Sequence, residues 1–502
     1  MSSRGCVDWV PMAPAGAAFR PEPLLIAVLA VVYFLLFGGL LLARTPPFAT
    51  QDEAFHWQRV LQIADGHLLA ETLGPNSWGG PIDRAGYLQM LYHIDRIQKH
   101  GPVDPVEARA LSGHLAAQPP AFEVVAFPSS ASFAPLAYLP QAAGVAAARA
   151  AGLGPLGQMQ AGRAGNLAVY GLMIAAILRA LPGGRVAVLA LALSPVALQS
   201  ACSLSADPLN LTLPVLLLAL VWRLRDRGTP LARREGAGLV ALSAALGLLK
   251  LTMAPFAGAV LYLPAAVAGG TARSRGALGR LRSRLALGAL CLAAALGIAL
   301  LWNAAYPFVP GPYWGTGADP AAQIARLRAD PLDSLRVFAA TVRDWAVMWW
   351  RDGYGRYGGH PPPWHGYASD RWVLPAFWVL LALALCDGPP RRNAGDGPSR
   401  RDAGFAAGCL VPAPAYALLV LAAFWIGYTP VGSATVDGVQ GRYFLPMLAL
   451  VLLGLAAAAG SWRPDGLRRG LRLGLFAAAL ALGGAVLAEV LGVWKGLWPV
   501  GG

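Results

Sequence analysis

The chain has 502 residues, of which 56% are hydrophobic and 13% charged. A soluble domain carries about 25% charged residues, so this composition, with its recurring apolar runs of bilayer length, excludes a soluble globular protein. The net charge of +14 would suit a nucleic-acid partner, but its distribution along the chain assigns it elsewhere.

Residues 24–43 form the first uncharged run, preceded by Arg4 and Arg20. The run exceeds the apolar core of about 7–15 residues found in a cleaved signal peptide. It reads as a retained first span, with residues 1–23 in the cytoplasm. Directly after it comes T-Q-D-E-A-F-H-W-Q-R-V-L-Q-I-A-D-G-H-L-L, residues 50–69. At about 100° per residue, Asp52, His56 and Arg59 share one narrow face. Trp57, Val60, Leu61, Ala64 and Leu68 share another, with Glu53 at the border. Such a helix lies at the membrane surface with its acids toward water or a cavity. T-x-x-E also fits a capping box, with Thr50 as N-cap and Glu53 at N3.

Further apolar stretches cover roughly 131–148, 162–181, 185–203, 207–222, 236–251, 253–269, 285–302, 371–387, 405–428, 443–460 and 473–494. Arginine clusters separate some of them: Arg223 to Arg234, Arg273 to Arg284, Arg391 to Arg401 and Arg463 to Arg472. The positive-inside rule puts all four clusters in the cytoplasm. The first span leaves the cytoplasm and the loop at 223–234 is back inside, so the crossings between them must be odd in number. Four apolar stretches lie there, hence one does not span. Residues 131–148, with Pro135, Pro140 and Arg149, are the best candidate for a surface or re-entrant segment. About eleven transmembrane helices remain. Under this topology the cytoplasmic segments hold 22 Lys/Arg and 8 Asp/Glu, and the remainder holds 18 of each. The whole positive excess then faces the cytoplasm, where topology and anionic lipid account for it. No nucleic acid is needed.

Two large outer loops result, 44–161 and 303–370, and all seven histidines lie in them. Ordered loops of this length are usually functional. The second contains W-W-R-D-G-Y-G-R-Y-G-G-H, which reads either as a sugar-stacking platform or as an interfacial aromatic belt. Residues 461–502 form a cytoplasmic loop and a last span. The five cysteines, Cys6, Cys202, Cys291, Cys386 and Cys409, contain no C-x-x-C pair and read as small buried hydrophobes.

Several ionisable residues sit at the outer ends of spans. Asp207 lies in S-L-S-A-D-P-L-N with Ser205, and Lys250 in G-L-L-K-L-T. Gln440, Arg442 and Tyr443 lie in V-D-G-V-Q-G-R-Y-F-L-P with Asp437. All reach the same membrane face as Asp52 and Glu53, and charge at membrane depth tends to line functional cavities. Acids and bases meeting there suit a reaction on a lipid-linked phosphate. Arg442 and Lys250 can hold the phosphate, and Asp52 can take a proton from an attacking hydroxyl. Each has a plainer reading. Asp207 before Pro208 fits an ordinary helix N-terminus, Lys250 can snorkel, and Arg442 can be a flanking anchor. His56 could bind a metal but needs no such role, and no metal site is assigned. Arg163 and Asn166, in A-G-R-A-G-N-L, read as packing residues.

These elements together resemble the bacterial membrane-protein family catalogued as domain of unknown function 2142. The resemblance rests on D-E-A-F-H-W-Q-R-V-L-Q-I-A-D-G-H-L, A-P-L-A-Y-L-P-Q-A-A-G, G-R-A-G-N-L, S-L-S-A-D-P-L, the lysine of L-L-K-L-T, and V-Q-G-R-Y-F-L-P, across about residues 45–460. That family in turn looks like the multi-spanning glycosyltransferases of GT-C fold. The resemblance implies an all-α polytopic, GT-C-like catalytic domain over 24–460, with amphipathic juxtamembrane helices in the first outer loop. It implies a polyprenyl-phosphate-linked sugar as donor and an acid in that loop as base. Asp52 and Glu53 match the family's acidic pair, and Arg442 the arginine of Q-G-R-Y. Asp207 stands where some GT-C enzymes carry a second acid, although A-D-P replaces the more usual A-D-A. The expectation is a glycosyltransferase of the bacterial inner membrane, working at its periplasmic face on a glycan or lipid acceptor. A divalent cation is possible and no other cofactor is implied. Asp52 and Glu53 are the candidate catalytic residues, and Arg442, Lys250, Asp207, Gln440, Tyr443, His56 and Arg59 the candidate binding residues. The rival readings are a transporter or flippase of a lipid-linked saccharide, and a non-catalytic partner in polysaccharide assembly.

Overall fold

The structure, a computed structural model, describes residues 21–74, 77–99, 103–268, 277–306, 317–356, 366–389, 400–459 and 465–498. Residues 1–20 of the expected cytoplasmic N-terminus, and the end of the aromatic loop at 357–360, fall outside these residues, whereas residues 21–23 begin the first helix.

The chain opens with α1 (Pro21–Arg44). Its 24 residues rise about 36 Å, enough to cross a hydrocarbon core of about 30 Å. The first large loop then builds a compact cap. It contains α2 (Glu53–Ala64), β1 (Glu71–Gly74), β2 (Ser77–Asp83), α3 (Arg84–Lys99), α4 (Pro105–Ala116), β3 (Phe122–Ala126), α5 (Pro128–Ala131), a 3-10 turn (Pro135–Tyr138) and α6 (Leu139–Ala150). The strands form an antiparallel sheet in the order β1-β2-β3, with Gly79 opposite Ala126 and Asp83 opposite Phe122. Gly79 is required there, because a Cβ would overlap the Val125 carbonyl oxygen.

Helices follow for most of the remaining chain. They are α7 (Pro155–Ala180), α8 (Arg185–Ala192), α9 (Pro195–Ala201), α10 (Asp207–Arg227), α11 (Arg233–Leu249), α12 (Ala254–Ala257), α13 (Ala265–Ala268) and α14 (Ala277–Ala305). The second large loop carries α15 (Pro320–Ala329) and α16 (Pro331–Gly355). Then come α17 (Asp370–Cys386), α18 (Arg400–Leu410), α19 (Pro412–Gly427), α20 (Leu445–Ala459) and α21 (Asp465–Leu497).

Among the described residues, seven helical segments are long and apolar enough to cross a membrane: Glu22–Arg44, Pro155–Ala180, Asp207–Arg227, Leu281–Ala305, Ala403–Gly427, Gly441–Ala459 and Leu467–Lys495. The sequence leads to an expectation of about eleven transmembrane helices, and the four other apolar runs among the described residues form shorter or broken helices. Of the four other apolar runs, 185–203 is broken between α8 and α9, where Pro195 follows Ser194. Residues 251–268 break into short helical and 3-10 pieces around Pro255 and Pro264, as proline interrupts a helix by removing an N–H donor. The helices α11 and α17 have 17 residues each, about 25 Å. Residues 131–148 also form no continuous span, since α6 has only 12 residues and lies along α7 and α2.

Small residues set the closest helix contacts, as expected where lipid supplies no hydrophobic drive between helices. A Cβ on Gly144 of α6 would overlap the Ala161 carbonyl oxygen of α7. One on Gly247 of α11 would overlap that of Ala295 in α14. The ends of α1, α8, α17 and α21 are tied by charge. Asp387 accepts from the backbone N–H of Val186 (2.6 Å) and Ala187 (3.1 Å). Arg472 pairs with Glu22 at 2.7 Å and approaches Asp387 at 3.5 Å.

Gly144→Ala should therefore destabilise the purified protein by about 1–3 kcal/mol through overpacking. Gly236→Ala in α11, which meets nothing within 4 Å, should be neutral or slightly stabilising. Thermal unfolding in one detergent compares the two.

Candidate functional site

The site begins with a buried ion pair. Glu53 opens α2, and its carboxylate receives Arg163 Nε at 2.8 Å and Nη2 at 2.6 Å, plus the Leu204 N–H at 3.2 Å. Arg163 also donates to the carbonyls of Thr45 (2.9 Å) and Pro46 (3.0 Å). Both side chains are fully buried. The capping box expected from Thr50 and Glu53 does not form, because the carboxylate is committed to α7 and not to its own helix end. The N-cap is Asp52, with φ 59° in the left-handed region and no side-chain capping bond. Asp tolerates that conformation better than most residues do. It leaves the Asp52 carboxylate free to reach across the fold.

That carboxylate meets Arg442. Nη2 of Arg442 donates to Asp52 Oδ2, Nη1 lies 3.5 Å from the Gln51 carbonyl, and Nε lies 3.4 Å from Asp207 Oδ2. The Arg442 side chain is 5% exposed, Asp207 18% and Asp52 35%, so Asp52 is the accessible acid of the three-residue cluster. Asp207 is the first residue of α10 and also accepts from Asn210 Nδ2 at 3.3 Å. Its turn is held by Asn166, which donates to the carbonyls of Ser203 (2.8 Å) and Ser205 (3.1 Å).

Arg442 stands on a 3-10 turn, Gly441–Phe444. The end of α16 clamps this turn. Asp352 accepts from the Gly441 N–H and pairs with Arg356 at 2.7 Å. Gly353 and Gly441 touch through their backbones, and a Cβ on Gly441 would overlap the Trp349 carbonyl oxygen. Lys250 enters from the break after α11. Its Nζ lies 5.0 Å from the Phe133 ring centroid and 5.2 Å from that of Tyr443, within cation–π range. Among the described residues no carboxylate lies within ion-pair distance of it.

Asp52, His56, Asp207, Lys250, Gln440, Arg442 and Tyr443 all line one chamber of about 1590 Å³, as does Glu53. A pocket for a drug-sized ligand holds about 300–1,000 Å³, so this one is large enough for a lipid headgroup and a second reactant. Trp302, Trp345 and Trp349 add an aromatic wall. Of W-W, Trp349 faces the chamber, while Trp350 packs on Tyr354 and donates to the Val373 carbonyl.

Arg59 does not join the chamber. Its guanidinium donates to the carbonyls of Leu68 (2.9 Å) and Phe133 (3.1 Å) and to Gln62, pinning the loop around α2. His56 hydrogen-bonds Tyr138 through Nδ1 at 2.8 Å. Among the described residues no three His, Cys, Asp or Glu side chains gather as metal ligands would. Three residues of the site escaped sequence reasoning: Asp352, Phe133 and Tyr138. Only Asp352 carried a signal, the acid beside glycine in R-D-G-Y-G.

The family model for the predicted membrane proteins of DUF2142 matches residues 35–451. The chain belongs to that family. No curated protein and no solved structure matches it.

Removing one partner of a buried ion pair leaves an uncompensated charge, at a cost of about 3–5 kcal/mol. Arg163→Met should cost that much, and Arg163→Met with Glu53→Gln should recover part of it. Thermal unfolding of the single and double variants measures the coupling.

Burial pushes the imidazoles of His56 and His93 from 6.5 down to about 4, against the opposing pull of Asp52 and Asp207 on His56. The unfolded chain thus binds protons first. The stability due to the neutral imidazoles is complete above about pH 6.5 and is lost as pH falls toward 4. Unfolding temperature in detergent should drop across that window, and His93→Gln should flatten the drop.

Proposed function

We propose that the protein is a membrane glycosyltransferase that moves a sugar from a polyprenyl-phosphate donor to a glycan or lipid acceptor. The observation that carries this reading is the ammonium of Lys250, which among the described residues has no carboxylate within ion-pair distance and which faces, with Arg442, the same chamber as the accessible carboxylate of Asp52. An ammonium with no carboxylate partner suits an incoming anion, and a phosphate fits both cations.

In the proposed reaction the acceptor hydroxyl oxygen attacks the anomeric carbon. The bond from that carbon to the phosphate oxygen breaks, and polyprenyl phosphate leaves with the bonding pair. The hydroxyl proton passes to Asp52. Engagement of Arg442 by the phosphate would loosen its bond to Asp52 and free the carboxylate for that proton. Lys250 and Arg442 stabilise the charge that develops on the leaving group. Glu53 orients Asp52 through its anchor on Arg163. Asp207 holds Arg442 in place, and Gln440 and Tyr443 complete the phosphate side.

For the membrane arrangement we propose eleven passes. The seven long helical segments supply seven, and α8 with α9, α11, residues 251–268 and α17 supply four shorter or broken ones. Support comes from the Leu231 N–H bonded to the Val267 carbonyl at 2.9 Å, which joins the start of α11 to the end of the broken segment, while Lys250 at their junction lines the chamber. With the arginine clusters inside, the chamber opens to the periplasm and the N-terminus lies in the cytoplasm of the bacterial inner membrane.

The test is sugar transfer by the protein in nanodiscs, given a synthetic polyprenyl-phosphate monosaccharide and an envelope glycan and lipid extract. The wild type should transfer label. Asp52→Asn should lose about 10²–10⁴-fold, the worth of a general base, while Lys250→Met should raise KM. Full activity of Asp52→Asn would remove the base assignment. Movement of unaltered donor across the bilayer would favour a flippase instead.

A further inference from the structure

The bond between His56 and Tyr138 decides which ring nitrogen carries the imidazole proton. Tyr138 is fully buried, and among the described residues its hydroxyl has one hydrogen-bond partner, His56 Nδ1 at 2.8 Å. A phenol has one proton to donate. If Nδ1–H donated to the Tyr138 oxygen, that phenolic proton would stay buried with no acceptor, a costly arrangement. If the phenol donates to a bare Nδ1, both groups are satisfied, and the ring proton of a neutral imidazole sits on Nε2. Burial favours the neutral ring, holding the imidazole down to about 4.

His56 lines the chamber, whereas Tyr138 lies behind it and does not. Among the described residues, no protein atom takes His56 Nε2. Phe133, whose ring lies 6.4 Å from His56 at an interplanar angle of 28°, fixes the face of the imidazole. The same Phe133 ring carries the Lys250 ammonium at 5.0 Å. His56 and Lys250 thus flank one aromatic ring and line the same chamber.

We propose that Tyr138 fixes His56 as an uncharged Nε2–H donor, and that this donor recognises a hydrogen-bond-accepting oxygen on the sugar–phosphate headgroup held by Lys250. Tyr138 is thus a positioning residue, acting through His56. The ligand class rests on the glycosyltransferase reading, but the tautomer does not. The donor adds direction without charge, so it can select oxygen geometry beside two cations that select charge alone.

The test is ¹⁵N NMR of histidine-labelled protein in detergent near pH 7, with the His56 signals assigned through His56→Gln. The expected wild-type spectrum is that of the neutral Nε2–H tautomer, and Tyr138→Phe should mix the two tautomers. Titration with inorganic phosphate, and separately with a synthetic polyprenyl-phosphate monosaccharide, should shift His56 Nε2. In binding of that lipid, His56→Gln, whose amide nitrogen takes the place of Nε2, should stay near wild type. His56→Asn, whose nitrogen takes the place of Nδ1, should weaken binding roughly tenfold, about one hydrogen bond. A cationic or Nδ1–H imidazole in the wild type would overturn the proposal, whatever the outcome of transfer assays. So would equal binding by the Gln and Asn variants, or an Nε2 signal that neither phosphate nor lipid moves.

Discussion

The fold is organised around one guanidinium. Arg442 is 5% exposed and lies between Asp52, 390 residues away in sequence, and Asp207 at the head of α10. Coulomb attraction strengthens as water is excluded, and a buried guanidinium deprived of its acids would be left uncompensated. Each participant is held by a separate device: Asp52 by the Glu53–Arg163 pair behind it, Asp207 by Asn166 under its turn, and Arg442 by Asp352 on the Gly441 N–H. Glu53 and Asp352 border the chamber and Arg163 and Asn166 lie behind it, and each fixes a neighbour that lines it. Packing and secondary hydrogen bonds of this kind lock the rotamers of the side chains they support.

With both acids engaged on Arg442, Lys250 has no carboxylate within ion-pair distance among the described residues. Aromatic faces of Phe133 and Tyr443 tolerate it without neutralising it. The left-handed backbone at Asp52 fits the same picture. Residues in sparsely populated conformations persist where the surrounding structure over-determines them. Here the two ends of the constraint are the Arg163 bonds to the carbonyls of Thr45 and Pro46 and the start of α2.

Much of the candidate site was legible because polar residues at the ends of apolar runs stand out against their surroundings, and the arginine clusters group the ends that would share a membrane face. Asp52, Asp207, Lys250 and Arg442 could be named on that basis. Arg59 could not be placed, since a helical wheel gives an azimuth but not what fills the space opposite; the carbonyls of Leu68 and Phe133 fill it. Glu53 had two possible partners, a local backbone N–H and an arginine 110 residues away, and nothing local distinguishes them. The breaks within apolar runs were not legible because hydropathy averages across Pro195, Pro255 and Pro264, where one helical piece gives way to the next. The sheet was missed because G-G-P in β2 reads as a turn, and its strand geometry comes from pairing with β3.

The most direct measurement is a cryo-electron-microscopy structure of the protein in nanodiscs with a non-hydrolysable polyprenyl-phosphate sugar. Phosphate density is expected within hydrogen-bond reach of both Lys250 and Arg442, with the anomeric carbon toward Asp52 and the Asp52–Arg442 contact lengthened. A lipid phosphate seated elsewhere, with Lys250 untouched and the Asp52–Arg442 pair intact, would contradict the proposed mechanism.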